Sequence, residues 1–185
     1  KQLGTVPTVA RELLRTINDA RKDPAYSSIF HAPRSILNQK ITGSRRFAAQ
    51  SYCLRRIKGV CKAYGTTVND VVMAMCATAL RSYLMNQDAL PEKALIAMVP
   101  VSLRKDDSSG GNQVGVILAS LHTDVTSPVT RLKQIHEDVK AAKDRYAHMS
   151  AEEIINYTAL TLAPAAFHLL TGMAPKWQTF NVVIS

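Results

Sequence analysis

A chain of 185 residues, 46% apolar and 20% charged, is long enough to bury one sizeable core, and that balance excludes a disordered chain. Its 23 Lys+Arg against 14 Asp+Glu leave a formal charge of +9, which excludes an acidic tail and points to anionic partners. The three cysteines (Cys53, Cys61 and Cys76) have neither CxxC nor Cys/His ligand spacing, which argues against a disulfide framework or a structural zinc and for reduced cytosolic thiols.

In chain order, Thr8 to Arg21 carries Val9, Leu13, Leu14 and Ile17 on one side and predicts a basic amphipathic helix. Residues 23–44 hold Pro24, Pro33 and Gly43 with no sustained period. Residues 1–44 are therefore assigned as a connector with an N-terminal amphipathic helix, and 45–185 as the folded lobe. Arg45 to Leu54 suits a strand. Leu54, Ile57, Cys61 and Tyr64 then recur at helical spacing, with Gly65 where a left-handed helix end belongs. Thr67-Val68-Asn69-Asp70 has the form of a capping box with Asp in place of Glu. The helix it opens carries Val71, Val72, Met75, Ala79, Leu80 and Leu84 around most of its circumference and is expected to be buried on more than one side.

Residues 94–103 are almost continuously apolar, as in a strand covered on both faces. The polar, Gly-containing run Arg104 to Asn112 is expected to be a mobile loop, and Gln113 to Val125 a long strand. Ser127 and Pro128 then start a helix with Leu132, Ile135, Val139, Ala142 and Tyr146 on one face, and Lys133, Glu137, Lys140 and Asp144 on the other. Ser150-Ala151-Glu152-Glu153 is a full capping box, with Met149 and Ile154 placed for a hydrophobic staple. That last helix is expected to run to about Leu170, bent or broken near Pro164. Strands alternating with helices predict an α/β fold, a two-layer α/β sandwich with one sheet against helices.

No segment here is expected to be a signal peptide, since the first residues lack an apolar h-region, and no apolar run reaches the ~18 residues of a membrane span; Ala159 to Ala174 is interrupted by Pro164 and His168. The chain begins at Lys1 without Met and stops inside the strand-like run Asn181 to Ser185, so truncation at both ends of a longer protein is expected.

Four groups of residues are candidates for chemistry. Asn69 and Asp70 lie in the first turn of a helix, where donors and the dipole favour an acid. Asp70 either completes the cap alone or helps to mount the Asn69 amide in a cavity, and the two readings are compatible. Arg104 follows a buried strand, where α/β sheets commonly place their sites, and can pair with Asp70 or grip a phosphate. Between Asp23 and Asp70 no acid occurs, while Arg55, Arg56, Lys58 and Lys62 decorate one short helix. They form either a solvated face or a patch for a nucleotide-like cofactor or anionic lipid. On the last helix, Ala159, Leu162, Ala163 and Ala166 mix small and large side chains, as core packing or as a tunnel for an alkyl chain. The five histidines (His31, His122, His136, His148 and His168) sit in no HExxH or GxSxG context, and no metal site is assigned. With 6% aromatics and no accompanying motif, nucleic acid is not expected as a partner.

Thr67-Val68-Asn69-Asp70-Val71-Val72-Met73-Ala74, Val99-Pro100-Val101-Ser102-Leu103-Arg104 and Asn181-Val182-Val183-Ile184-Ser185 together resemble the bacterial wax ester synthase/acyl-CoA:diacylglycerol acyltransferase family. The resemblance implies a chloramphenicol acetyltransferase-like fold of two lobes, shared with peptide-synthetase condensation domains, with this chain as the C-terminal lobe. The catalytic HHxxxDG motif implied for the N-terminal lobe is absent here, so the segment alone is expected to be inactive. The resemblance further implies acyl transfer from acyl-CoA, a substrate and not a cofactor, to a long-chain alcohol or diacylglycerol. Asn69, Asp70 and Arg104 would be supporting residues. Ala159, Leu162, Ala163 and Ala166 would line the substrate site, and Arg55, Arg56, Lys58 and Lys62 would meet CoA or anionic lipid. The expected location is cytoplasmic, peripheral to a membrane or lipid droplet. The competing readings are a condensation-type domain acting on carrier-protein thioesters and a non-catalytic basic binding module.

Overall fold

Residues 11, 14, 32–39, 42–102, 114–171 and 178–185 are described by the computed structural model. The expected N-terminal helix and the loop from Arg104 to Asn112 lie outside them, except that Arg11 and Leu14 are helical and exposed. Helices α1 (Leu54–Tyr64) and α2 (Val68–Asn86) precede strands β1 (Ile96–Ser102) and β2 (Val114–Ser120). Helices α3 (Pro128–Ala147) and α4 (Ala151–Thr171) and the short strand β3 (Val182–Val183) complete the order.

The local signals act as their chemistry requires. Gly65 ends α1 at φ 66, a conformation a side chain resists. Thr67 and Asp70 form both halves of a capping box on α2. Ser127 caps α3 with Pro128 in its first turn. Ser150 and Glu153 exchange bonds of 2.8 and 3.2 Å at the start of α4, while Met149 and Ile154 are both buried in the core cluster. Pro164 does not break α4, whose backbone stays helical to Thr171. The burial of α2 is also narrower than expected: Val71, Met73, Ala77 and Leu84 are buried, but Val72, Ala79 and Met85 are exposed.

The sheet has the order β2-β1-β3, antiparallel between β1 and β2 and parallel between β1 and β3. Pro100 sits in the central strand, opposite Val116. Such a position is tolerated only where the missing N–H faces no partner. The backbone groups of Val116 turn outward to side chains: its carbonyl accepts from the Tyr146 hydroxyl, and its N–H donates to Thr158 Oγ1 at 3.4 Å. Pro100 therefore points its nitrogen toward β3, which pairs only with Ala97 and Met98. Tyr146 and Thr158 also cover the outer edge of β2 against further strand pairing.

Two expected strands are shorter or missing. The 113–125 candidate ends at Ser120, because His122 adopts φ 45 and turns the chain out of the ladder. Residues 44–53 form no strand, since no described strand pairs with them; Phe47 is 91% exposed. The core joins Met73, Ala77 and Leu84 of α2 to Ala97 and Val99 of β1, Ile117 and Ala119 of β2, and Ile135 and Val139 of α3. It closes with Tyr146, Met149, Ile154 and Tyr157, the two tyrosine rings meeting edge to face at 6.0 Å.

Buried polar side chains fasten the connections. Arg131 of α3, 1% exposed, donates to the carbonyls of His122 (3.2 Å), Val125 (2.6 Å) and Thr126 (3.3 Å) and to Thr78 Oγ1 (2.7 Å). Asp138 of α3 bonds His122 Nε2 at 2.9 Å. Asn181 accepts from the Ile96 N–H at 2.9 Å and donates to the Pro33 carbonyl at 2.7 Å and to Asn38 Oδ1 at 2.9 Å. One amide thus joins the 33–38 segment, β1 and the β3 segment. Asn181→Ala orphans the buried Ile96 N–H and the half-buried Pro33 carbonyl and frees the exposed Asn38 side chain, and is expected to cost about 2–4 kcal/mol in urea unfolding of the full-length protein. A loss under about 1 kcal/mol would show that solvent replaces the clasp.

Candidate functional site

The first turn of α2 carries a buried, tightly held carboxylate. Asp70 is 1% exposed, and its Oδ2 accepts from the Thr67 N–H and the Thr67 hydroxyl, each at 2.8 Å. The Asp70 N–H returns a bond to Thr67 Oγ1 at 3.3 Å. The same Oδ2 lies 2.7 Å from Nδ1 of His136, which α3 brings across from 66 positions later in the chain. Burial pushes the Asp70 carboxyl up. The Thr67 amide, the His136 ring and the Thr67 hydroxyl outweigh that and hold it below the usual carboxylate range.

The carboxylate is a complete cap, and it also fixes the orientation of an imidazole, as carboxylates do at histidine sites. The His136 side chain is 29% exposed, so its ring stays partly open to solvent. Asn69, one residue earlier, is exposed, with its side-chain amide directed to Met73 Sδ at 3.6 Å. A rigid turn therefore carries a buried acid and a surface amide side by side. No motif surrounds His136 in the sequence. Its one signal is position, beside the buried Ile135 and four residues after Leu132.

The other expected site residues are dispersed. Arg104 lies outside the described residues. Ala159, Ala163 and Ala166 are exposed along α4 and Leu162 is half-buried, so this stripe faces away from the buried Ile154, Tyr157 and Thr161. Arg55, Arg56, Lys58 and Lys62 are all exposed on α1. At 100° per residue Arg55, Lys58 and Lys62 share one stripe and Arg56 turns to the opposite side.

That opposite side of α1 borders a groove of about 650 Å³. Ile57 and Val60 of α1, Val71 and Ala74 of α2, and Leu132 of α3 are among its lining residues, with Arg56 at the rim. The α4 stripe does not contribute to it. Among the described residues no group of three or more His, Cys, Asp or Glu is placed to hold a metal ion, and no helix is long and apolar enough to cross a membrane.

Comparison with known proteins supplies the context for this geometry. Residues 1–72 match a family model described as the wax ester synthase/diacylglycerol acyltransferase catalytic domain, and residues 110–185 match the WS/DGAT C-terminal domain. The chain is 47% identical to an O-acyltransferase WSD of Acinetobacter baylyi, over 100% of this chain and 40% of that protein. It is 44% identical to a putative diacylglycerol O-acyltransferase of Mycobacterium tuberculosis, over 99% of this chain and 41% of that one. A solved structure, the wax ester synthase/diacylglycerol acyltransferase from Marinobacter aquaeolei VT8, superposes with a TM-score of 0.74 at 69% identity, covering 100% of this chain and 40% of its own. The chain thus spans about two-fifths of the length of the relatives it matches.

Proposed function

Because the chain belongs to the wax ester synthase/diacylglycerol acyltransferase family, we propose that the protein it is part of moves a fatty acyl group from acyl-CoA to a long-chain alcohol or diacylglycerol. In this reading the segment forms one wall of the site. The general base is a histidine of an HHxxxDG motif, which this sequence does not contain. That imidazole takes the proton of the acceptor hydroxyl, and the oxygen attacks the thioester carbonyl. A C–O bond forms, the tetrahedral oxyanion collapses, the C–S bond breaks, and the CoA sulfur leaves with the proton. No nucleophile from the protein is required.

The observation that best supports this role is the Asn69-Asp70 step. Asp70 is pinned by Thr67 and His136, so the neighbouring Asn69 amide is held on a turn that cannot easily move. A preorganised amide of this kind stabilises developing oxyanion charge or orients the base from the facing lobe. Arg104, which follows β1 by two residues in the sequence, is proposed as a further supporting residue. The exposed α4 stripe (Ala159, Leu162, Ala163 and Ala166) is proposed as an acyl-chain wall completed by the rest of the protein. The outer α1 stripe (Arg55, Lys58 and Lys62) is proposed to meet CoA phosphates or an anionic lipid surface, with the protein peripheral to a membrane or lipid droplet.

Asn69→Ala in the full-length protein is expected to lower kcat by about tenfold to a hundredfold with acyl-CoA and a long-chain alcohol, and to leave the unfolding midpoint unchanged. An unchanged kcat removes Asn69 from the site. A collapse of folding assigns it a structural role.

A further inference from the structure

The groove beside α1 has the chemistry of a ligand site that the acyl-transfer reading does not use. Its walls are Ile57 and Val60 of α1 and Leu132 of α3, and its floor is the α2 stripe that includes Ala74 and Ala79. The two alanines leave the width, and the volume of about 650 Å³ falls in the range of about 300–1,000 Å³ usual for small-molecule sites. Arg56 alone among the described lining residues is charged, and no described Asp or Glu lines the groove. The first turns of α1 and α3, both of which border it, also lack an acid. The guanidinium has no ion pair with any described carboxylate.

We propose that this groove binds a single-chain anionic amphiphile of the long-chain fatty acid type, its alkyl chain along Ala74 and Ala79 and its anionic head on Arg56. One cation over an apolar, acid-free trough matches one anion on one chain. A planar guanidinium is suited to a carboxylate or phosphate and holds it with two bonds. Affinity then rises with chain length, by roughly tenfold for every two methylenes until the groove is filled. The proposal does not rest on acyl transfer, because binding is measured directly.

The test is equilibrium dialysis of the full-length protein against labelled laurate and palmitate below their micellar concentrations, with palmitoyl-CoA and CoA alone as further arms. Palmitate is expected to bind more tightly than laurate. Both Ala79→Phe, which fills the floor, and Arg56→Glu, which reverses the rim charge, are expected to weaken palmitate at least tenfold. Lys143→Glu, a surface control away from the groove, is expected to leave binding unchanged. If palmitoyl-CoA responds to both variants as palmitate does, the groove accepts the chain with either head; if palmitate alone responds, it takes the free acid. A response by palmitoyl-CoA alone, with free palmitate indifferent, overturns the fatty-acid assignment. Equal palmitate binding in wild type and both variants, or no palmitate binding at all, overturns the proposal. Should Ala79→Phe fail to fold, the exposed Arg56→Glu decides alone. Loss of palmitate binding in the variants of a protein that transfers no acyl group would support the groove and reject the acyltransferase reading.

Discussion

Arg131→Met is expected to destabilise the full-length protein by about 3–5 kcal/mol in urea unfolding, among the largest effects of any single change in this chain. Methionine matches much of the volume but donates nothing. The carbonyls of His122, Val125 and Thr126 and the hydroxyl of Thr78 would lose their donor at a position where Arg131 is 1% exposed. Burial, then the nearby Arg81, push the guanidinium pKa down, and Asp124 partly counters them. Arginine nevertheless remains charged, which makes it the side chain able to sit there and serve several acceptors in one plane. Arg131→Lys is expected to recover little, because an ammonium cannot reproduce the fork. His122 holds a positive φ between the end of β2 and the carbonyl contacts of this arginine, so the turn is expected to loosen with it. A loss of less than about 1 kcal/mol, with hydrogen exchange in 121–126 unchanged, would show the turn to be held by other contacts.

Asp70→Asn is expected to cost about 2–4 kcal/mol near neutral pH, since it keeps the shape of the cap but removes the charge that faces His136. The pH dependence gives this prediction its sign. Asp70 titrates lower in the folded protein than in the unfolded chain, so its stabilisation is present above the unfolded value of about 3.9. It is lost as pH falls through the lower folded value. The stability gap between wild type and Asp70→Asn is therefore expected to be full at pH 6 and to shrink progressively below about pH 4. A gap that stayed constant through the acid range would mean that the carboxyl acts through shape alone. The same variant is expected to lower acyl transfer, because Asn69 rides on the turn that Asp70 pins.

Particular residues show how far reading the chain alone reached. Thr67 with Asp70, Ser127 with Pro128, Ser150 with Glu153 and Gly65 were legible because each device closes within about four residues, where backbone geometry leaves few choices. The apolar run of β1 and the stripe of Ile135 and Val139 were legible for a related reason: burial repeats with the period of the element. Segment 45–54 reads as a strand by composition and is not one here, since a strand exists only with a partner and none of the described strands supplies it.

The candidate site divides along the same line. Asn69 and Asp70 stand out in the sequence, and Asp70 proves to be buried, with its Oδ2 accepting from Thr67 and facing His136. His136 and Asn181 carry no local signature, because their partners lie 66 and at least 85 positions away, and Arg131 reads as one more basic residue until the turn before α3 folds back onto it and Thr78 arrives from 53 positions earlier. Arg56 reads as one of four like charges on a helix and is separated from the other three only by the direction in which α1 presents it to the groove. The amino-acid order by itself determined the helix ends, the apolar faces and the family likeness, all of which depend on neighbours within a turn or on a repeating pattern. Tertiary structure alone decided which polar groups are buried together and where a cavity opens, because those depend on distances between elements that no local spacing encodes.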